Sequence, residues 1–419
     1  MTSTLSTVAP PEDARGLGAV LTPVPVVDYM LQLAGVYEAR HWRILEPACG
    51  PCTFLSSIAY RCQDAGHEYV GVEINGQEAT KASKNHPKLT VLEEDFLLWE
   101  PKGRYDLVIG NPPYGIVGDA SHYPISVLKD RKSLYKRALT TWHGKYNLYG
   151  AFIEKGVRLL APEGKLVFVV PATFMILDDF APLRRFLAQA GKVNVHYVGG
   201  VFPGRNVVAV VLVLEKGKQG LAVWEWNRLL FEETTYDGGL ITLSPPATLP
   251  LGKNTVNLGS LFTIYFAARS PEVKRHPLVS KEPGPGLVPI LTGRNLHPGR
   301  IDYERCYSGL WMPQEAGPSL RPFYAFPHLV IGHTKGGKVV AAVDEKCYPW
   351  REDFHLVPKL EGINIYTTAA YLNSEAVQQY VSCLYRDISP HVTTTQLRVL
   401  PVPAQMIPPR IGVQARLLV

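Results

Sequence analysis

Cysteine is scarce in this chain. Six in 419 residues cannot make a disulfide framework, and only Cys49 and Cys52 stand close together. One CxxC without a second pair of ligands is a poor zinc site, so no structural metal is expected. Long apolar runs are lacking too: none approaches the ~20 residues that span a bilayer. The opening MTSTLSTVAPPEDARG has neither the basic nor the apolar region of a signal peptide. Membrane and secreted classes are thereby set aside, and a cytoplasmic protein is expected. There is no internal repeat and no low-complexity tract.

Charge imbalance is absent from the first part of the chain and present in the second. Residues 1–250 hold 25 basic and 25 acidic side chains, whereas residues 251–419 hold 18 basic and 12 acidic, the whole net charge of +6. A local excess of this kind suits a polyanionic partner for the C-terminal part, and equally a solvated surface.

From about residue 42, apolar strand-like runs alternate with amphipathic helical patterns. WRIL, YVGVEI, LTVLEED, YDLVIG, KLVFVVPA, VNVHYVGG and VVAVVLVLE read as strands; FLSSIAYRCQDA, LYGAFIEKGVRLL and FAPLRRFLAQA read as helices. Such alternation predicts a doubly wound α/β sheet covered on both faces. After LEKGKQG the pattern breaks down. TYDGGLITLSPPATLPLGKN is turn-rich, and the segments beyond it are rich in Gly and Pro with few long helical patterns. Two domains are expected, 1–245 and 246–419, the second loop-rich and α+β.

Ligands of an open α/β sheet bind beyond the carboxyl ends of its strands. The first strand ends in LEPACGPCTFL, a turn of small residues. The second ends in GVEIN, placing Glu73 about twenty residues on, where an acidic side chain commonly takes ribose hydroxyls. The third ends in EEDF, bringing Asp95 and Phe96 to the same rim. Together they describe a pocket for an adenosyl group. The fourth strand runs into Asn111-Pro-Pro-Tyr114, where the two prolines fix φ and remove N–H donors. The result is a stiff corner offering carbonyl oxygens, one amide and one ring, with neither base nor nucleophile. Such a corner suits an sp2 amine, whose N–H groups need acceptors; by itself the tetrapeptide is also a plausible tight turn.

EPACG…FL, VEI, DF and NPPY in this order resemble the motifs of adenosylmethionine-dependent amino-methyltransferases. With LTPVPVVDYM, DFLLWEP, GNPPYGIVG, KYNLYGAF, FVVPAT, FAARSPE, KEPGPGLVP, LTGRNL and YPWRE, nearly the full chain is similar to the TaqI-type (gamma-class) DNA adenine-N6 methyltransferases of type II restriction-modification systems. The resemblance implies a Rossmann-like domain with a mixed seven-stranded sheet that binds S-adenosylmethionine and performs the chemistry, followed by a target-recognition domain. Thr22, Pro23, Glu46, Ala48, Glu73, Ile74, Asp95, Phe96, Asn111 and Pro113 would line the cofactor site. Asn111 and the Pro112 carbonyl would accept from adenine N6, with Tyr114 and Phe202 against the two faces of a flipped base. Phe202 on its own reads as core.

The target would be duplex TCGA, with Pro401 filling the space the adenine leaves. Lys145, Arg205, Arg294, His333, Lys335, Lys338 and Arg398 are candidate DNA contacts. Lys145 and Tyr146 fit helix-start packing as well, and His333 fits a satisfied loop histidine equally well. No obligate protein partner is implied, though a separate restriction endonuclease is the usual companion. Cys52, where a glycine is usual, and Leu21, in place of an acid, depart from the family pattern. NPPY also occurs in enzymes that methylate protein glutamine or RNA guanine N2, and a catalytically weak DNA-specificity protein is a further reading.

Overall fold

The computed structural model describes residues 21–36, 40–62, 66–118, 124–246, 251 and 254–407. The chain divides into two compact units that meet in sequence between Ile241 and Thr242.

The first unit is built on one mixed sheet. Strands β1 (Arg43–Pro47), β2 (Glu68–Glu73), β3 (Thr90–Glu93), β4 (Tyr105–Gly110), β5 (Leu160–Pro171), β6 (Gly191–Gly199), β7 (Ala209–Lys216), β8 (Leu221–Glu225) and β9 (Arg228–Glu233) lie in the order β9-β8-β6-β7-β5-β4-β1-β2-β3. β1 to β5 run parallel, while β7 is antiparallel to both β5 and β6. The central strands are apolar on both faces: Leu107, Val108, Val167, Phe168, Val170 and Leu212 are all fully buried. Helices make this possible by covering both sides, so alternation of polar and apolar residues disappears and a continuous Val/Leu/Ile run takes its place.

The sheet has nine strands, a correction to the seven expected. All seven predicted strands are present, and a hairpin, β8 and β9, extends the edge beyond β6. Its turn is Trp226-Asn227, with Trp226 at φ 48°. The Asn-Gly or Asp-Gly signal of a two-residue hairpin is missing. β9 is moreover largely exposed, so it lacks the apolar alternation by which a half-buried strand is recognised.

Among the helices, α1 (Val24–Ala34), α2 (Thr53–Arg61), α3 (Gly76–Asn85), α4 (Lys132–Ala138), α5 (Leu148–Arg158) and α6 (Ala181–Ala190), two follow directly from strand ends. α2 begins after the turn at the end of β1. α3 begins after β2, where the Asn75 side chain accepts from the backbone N–H groups of Gln77 and Glu78. The carboxyl ends of β1, β2, β3 and β4 therefore deliver their loops to one side of the sheet.

In the second unit, β10 (Phe262–Phe266), β11 (His328–Ile331), β12 (Ala341–Asp344) and β13 (Phe354–Pro358) form an antiparallel sheet in the order β10-β13-β11-β12. Fully buried Trp350 lies in its core and donates Nε1–H to Asp344 Oδ2 at 2.8 Å. The other carboxylate oxygen of Asp344 accepts from Tyr303 Oη–H and Cys347 N–H, so this buried acid is satisfied. Two helices, α7 (Ile365–Leu372) and α8 (Glu375–Tyr385), interrupt the loop-rich character, capped by Asn364 and Ser374.

Candidate functional site

Glu46, near the end of β1, is only 2 % exposed and accepts from the N–H groups of Phe54 and Leu55 at 3.4 and 2.9 Å. Burial pushes its carboxyl up to about 8; those two donors counteract this in part, and the charge of Glu73 adds to it. Glu73, at the end of β2, accepts from Gly50 N–H at 2.8 Å and Asn75 N–H at 2.9 Å, and burial raises it as well. Gly50 belongs to the turn after β1, where Ala48, Gly50 and Cys52 have φ of 51°, 49° and 54°. Left-handed conformations at two side-chain-bearing residues cost of order 1–3 kcal/mol each and persist only where surrounding contacts hold them.

A cavity of about 320 Å³ opens between these strand ends. Thr22, Glu46, Ala48, Glu73, Ile74, Asp95, Phe96, Asn111 and Pro113 line it. Pro23 does not; it ends the approach to α1, and its carbonyl accepts from Val26 and Val27 N–H. The departures Leu21 and Cys52 differ in place. Leu21 lines the cavity and is half exposed, while Cys52 lies behind the turn, fully buried.

The sequence reading missed one wall. Leu128 and Tyr135, from the segment after the NPPY corner, and Leu148 and Phe152 of α5 close the cavity. Phe152 packs against Phe96 with ring centroids 5.0 Å apart. Tyr135 Oη–H and Arg131 Nη1–H both donate to Asp95 Oδ2 at 2.7 Å. Neither residue sits in a motif.

The NPPY corner follows β4 directly. Asn111 Nδ2–H donates to Thr22 Oγ1 at 3.0 Å, which orients the amide. Gly115 N–H donates to Asn147 Oδ1 at 2.9 Å, and the Gly115 carbonyl accepts from Leu148 N–H, tying the corner to the start of α5. Within KYNLYG, Tyr146 is buried with its hydroxyl on Thr141, which is helix-start packing; Lys145 is exposed.

Tyr114 and Phe202 are both buried and meet edge to face, centroids 6.1 Å apart at 84°. Tyr114 also donates its hydroxyl to Val169 O at 3.1 Å. The two rings therefore stand at right angles to each other, with no gap between their faces. Apolar rings that bury each other avoid a void between them, and edge-to-face contact is the favoured geometry. Arg205, in the same loop, is exposed, and its backbone N–H donates to Phe202 O.

In the second unit, the loops that carry His333 and Arg294 meet at one buried acid, Asp353. His333 N–H donates to Asp353 Oδ1 at 3.0 Å, and Gly293, next to Arg294, lies against the same carboxylate. Lys335 gives its ammonium to the carbonyls of Gly293 and Leu296, so it is engaged inside the fold and braces the turn that holds Arg294. Arg294, Lys338 and Arg398 are exposed. Pro401 is half-buried, and its carbonyl accepts from Tyr371 Oη–H at 2.7 Å. The His333 ring stacks on that of His391, centroids 4.8 Å apart, a neighbour the sequence reading did not name.

Residues 57–198 match the model of the Eco57I restriction-modification methylase, and residues 288–402 match that of the TaqI-like C-terminal specificity domain. The type II methyltransferase M.TthHB8I of Thermus thermophilus is 52 % identical over 402 residues, 94 % of this chain and 92 % of its own. The chain belongs to the TaqI-type type II methyltransferases. A more distant relative, the modification methylase CviBIII of Paramecium bursaria Chlorella virus NC1A, is 32 % identical over 34 % of each chain. The solved type I restriction-modification methyltransferase subunit of Streptococcus thermophilus aligns over 49 % of this chain and 47 % of its own, at 20 % identity and a TM-score of 0.40.

A TaqI-type methyltransferase is a restriction-modification DNA methyltransferase, and its cofactor is S-adenosylmethionine. The cavity suits that cofactor's charge: two buried acids, Glu46 and Glu73, face a space that would take a cationic amino acid joined to a nucleoside. Arg294, His333, Lys335, Lys338, Arg398 and Pro401 all fall within the specificity-domain match. No helix among the described residues is long and apolar enough to cross a membrane.

Proposed function

We propose that this methyltransferase modifies N6 of an adenine in duplex DNA, within TCGA, after the base is turned out of the helix. The observation that carries the reading is the placement of Asn111, its amide oriented by Thr22, on the same cavity as Glu46, Glu73 and Asp95. The first unit is the catalytic domain and the second the target-recognition domain.

Glu46 holds the amino group of the cofactor, Glu73 the ribose hydroxyls, and Asp95 with Phe96 the adenine end. When bound, S-adenosylmethionine supplies an electrophilic methyl on a sulfonium. The lone pair of adenine N6 is delocalised into its ring, so the amine needs help to become nucleophilic. Asn111 Oδ1 and the Pro112 carbonyl each accept one N6–H, which favours a more tetrahedral nitrogen with its lone pair directed at the methyl. The prolines keep these acceptors in place, so little reorganisation is needed as positive charge develops on nitrogen. No strong base is called for.

Base entry parts Tyr114 from Phe202, and the base takes the space between their faces. Stacking is worth roughly 1–3 kcal/mol per base, comparable to the few kcal/mol that flipping costs. Tyr114→Ala and Phe202→Ala should each lose about 10- to 100-fold in kcat/KM on matched duplex. Part of the loss should return when the target adenine is mismatched, because flipping then costs less. Equal losses on matched and mismatched duplexes would count against stacking.

In this reading exposed Arg294, on the turn braced by Lys335, contacts a base edge, and Lys338, Arg398, Lys145 and Arg205 contact phosphates. Lys338→Ala should weaken binding to all sequences alike and lower the salt slope by about 1. Arg294→Ala should cost about 1–3 kcal/mol and relax discrimination at one base pair. Titrations of cognate and single-mismatch duplexes across a salt series separate the two.

Transfer of labelled methyl to duplex TCGA, to RNA and to protein tests the proposal directly. The basic, TaqI-like specificity domain favours DNA over the protein glutamine and RNA guanine that other NPPY enzymes use. Label found as N6-methyladenine in the duplex alone supports it, and label confined to protein or RNA refutes it. The methyltransferase needs no obligate protein partner in this reading, and a restriction endonuclease would act as a separate protein.

A further inference from the structure

The CxxC pair has no part in the reaction described above, yet its geometry is specific. Cys49 and Cys52 are free thiols, 4 % and 0 % exposed, and Cys52 Sγ–H is directed at the adjacent Cys49 Sγ. The left-handed turn after β1 brings them together, closed by Cys52 N–H on Cys49 O at 2.7 Å. Gly71 of β2 stands opposite both sulfurs. A Cβ there would come within 2.8 Å of Cys49 Sγ and 3.0 Å of Cys52 Sγ, so only glycine leaves room for the pair. Cys49 lines the cavity and Cys52 does not. The other four cysteines, Cys62, Cys306, Cys347 and Cys383, are free thiols without a neighbouring cysteine thiol among the described contacts.

We propose that Cys49 and Cys52 are a modification site, a dithiol that hydroperoxides convert into a reversible disulfide within the cofactor turn. The deprotonated Cys49 sulfur, reached through the cavity, attacks one peroxide oxygen. The O–O bond breaks, and the departing oxygen takes a proton and leaves as water, or as the alcohol where the peroxide is organic, with Cys49 now a sulfenic acid. Cys52 Sγ then attacks the Cys49 sulfur, the S–O bond breaks, and the hydroxyl leaves with the Cys52 proton as a second water. Two thiols give up two electrons and the peroxide accepts them.

The bond from Cys52, burial, and the carboxylates of Glu46 and Glu73 hold the Cys49 thiol well above its ordinary range, which slows the first step at neutral pH. The bridge would hold in place the turn whose Gly50 N–H binds Glu73 and whose following Phe54 and Leu55 N–H groups bind Glu46. A cofactor in the cavity covers Cys49 and blocks the approach of peroxide. That last point rests on the cavity being the cofactor site.

The test treats the full chain with hydrogen peroxide at mildly alkaline pH, then denatures it, alkylates it and maps peptides by mass. The expected peptide spanning Cys49 and Cys52 has lost two hydrogens, takes no alkyl group, and regains both thiols with dithiothreitol. Saturating S-adenosylhomocysteine should slow bridging at least tenfold. Cys52→Ala should leave a sulfenic acid at Cys49 that dimedone traps. If Cys49 and Cys52 are still alkylated once exposed Cys383 has been oxidised, the site is refuted. Calorimetric titration of the same sample reports whether S-adenosylhomocysteine is bound. Unchanged bridging with ligand bound refutes the access route, whereas absent binding refutes the cofactor placement and leaves the bridge to be judged by its own peptide.

Discussion

Asn111→Ala should lower kcat by about 100- to 1,000-fold, the usual consequence of removing one preorganised partner of a developing charge, some 3–4 kcal/mol. Affinity for cognate duplex should stay within a few-fold, because in the proposed reading the phosphates are contacted by the second unit and by exposed lysine and arginine side chains. Single-turnover methylation with fluorescence titration of the same duplex separates the two quantities. Asn111 lines the cavity with its amide on Thr22, so a large loss of DNA affinity with unchanged turnover would refute its proposed acceptor role. Thr22→Val removes the hydroxyl that orients the amide and keeps the bulk, and should reproduce part of the kcat loss.

Cofactor affinity should rise with pH by about tenfold per unit up to about pH 8 and level off above it. The sign follows from Glu46. Its carboxyl in the folded protein titrates at about 8, far above the ordinary 4.5, chiefly because it is fully buried. The ligand's α-ammonium needs the carboxylate, so below about 8 binding must expel a proton, at a cost of 1.36 kcal/mol per pH unit. Between pH 6 and pH 8 the dissociation constant for S-adenosylhomocysteine should therefore fall roughly 50-fold. Glu46→Gln should flatten the dependence and bind weakly throughout.

The same shift acts on folding in the opposite direction. The folded protein holds a proton on Glu46 that the unfolded chain has lost, so this group's contribution to stability is present below about 4.5 and declines as pH rises towards 8. Calorimetric titration across the range checks the affinity, and thermal unfolding without ligand checks the stability. A flat binding profile in the parent protein would mean that Glu46 does not face the amino group.

Much of the fold and the strand-end acids was legible in the sequence because each rests on local signals. A strand buried on both faces must be apolar along its length, and the seven runs read as strands all joined the sheet, LTVLEED as its exposed edge strand β3. Glu46, Glu73 and Asp95 each end or follow a parallel strand, so the topology itself delivers them to one rim. Asn111-Pro-Pro-Tyr114 is stiff by its own covalent geometry and needs no tertiary help to be a corner.

What the amino-acid order could not specify depends on partners far away in the chain. The β8–β9 hairpin has neither apolar alternation nor a recognisable turn, and pairing with β6 makes it part of the sheet. Asp95 meets Arg131 and Tyr135 only because the segment after the corner folds back across the cavity. Tyr114 and Phe202, 88 positions apart, turn edge to face because close packing leaves no gap between them. Lys335 reads as a surface cation until the turn at Gly293 supplies carbonyls for its ammonium. Sequence determined the strands, their order of acids and the rigid acceptor corner, since those follow from composition and covalent stiffness. Tertiary structure decided which polar atoms find partners and which rings touch, since burial and hydrogen bonding are settled by residues distant in sequence.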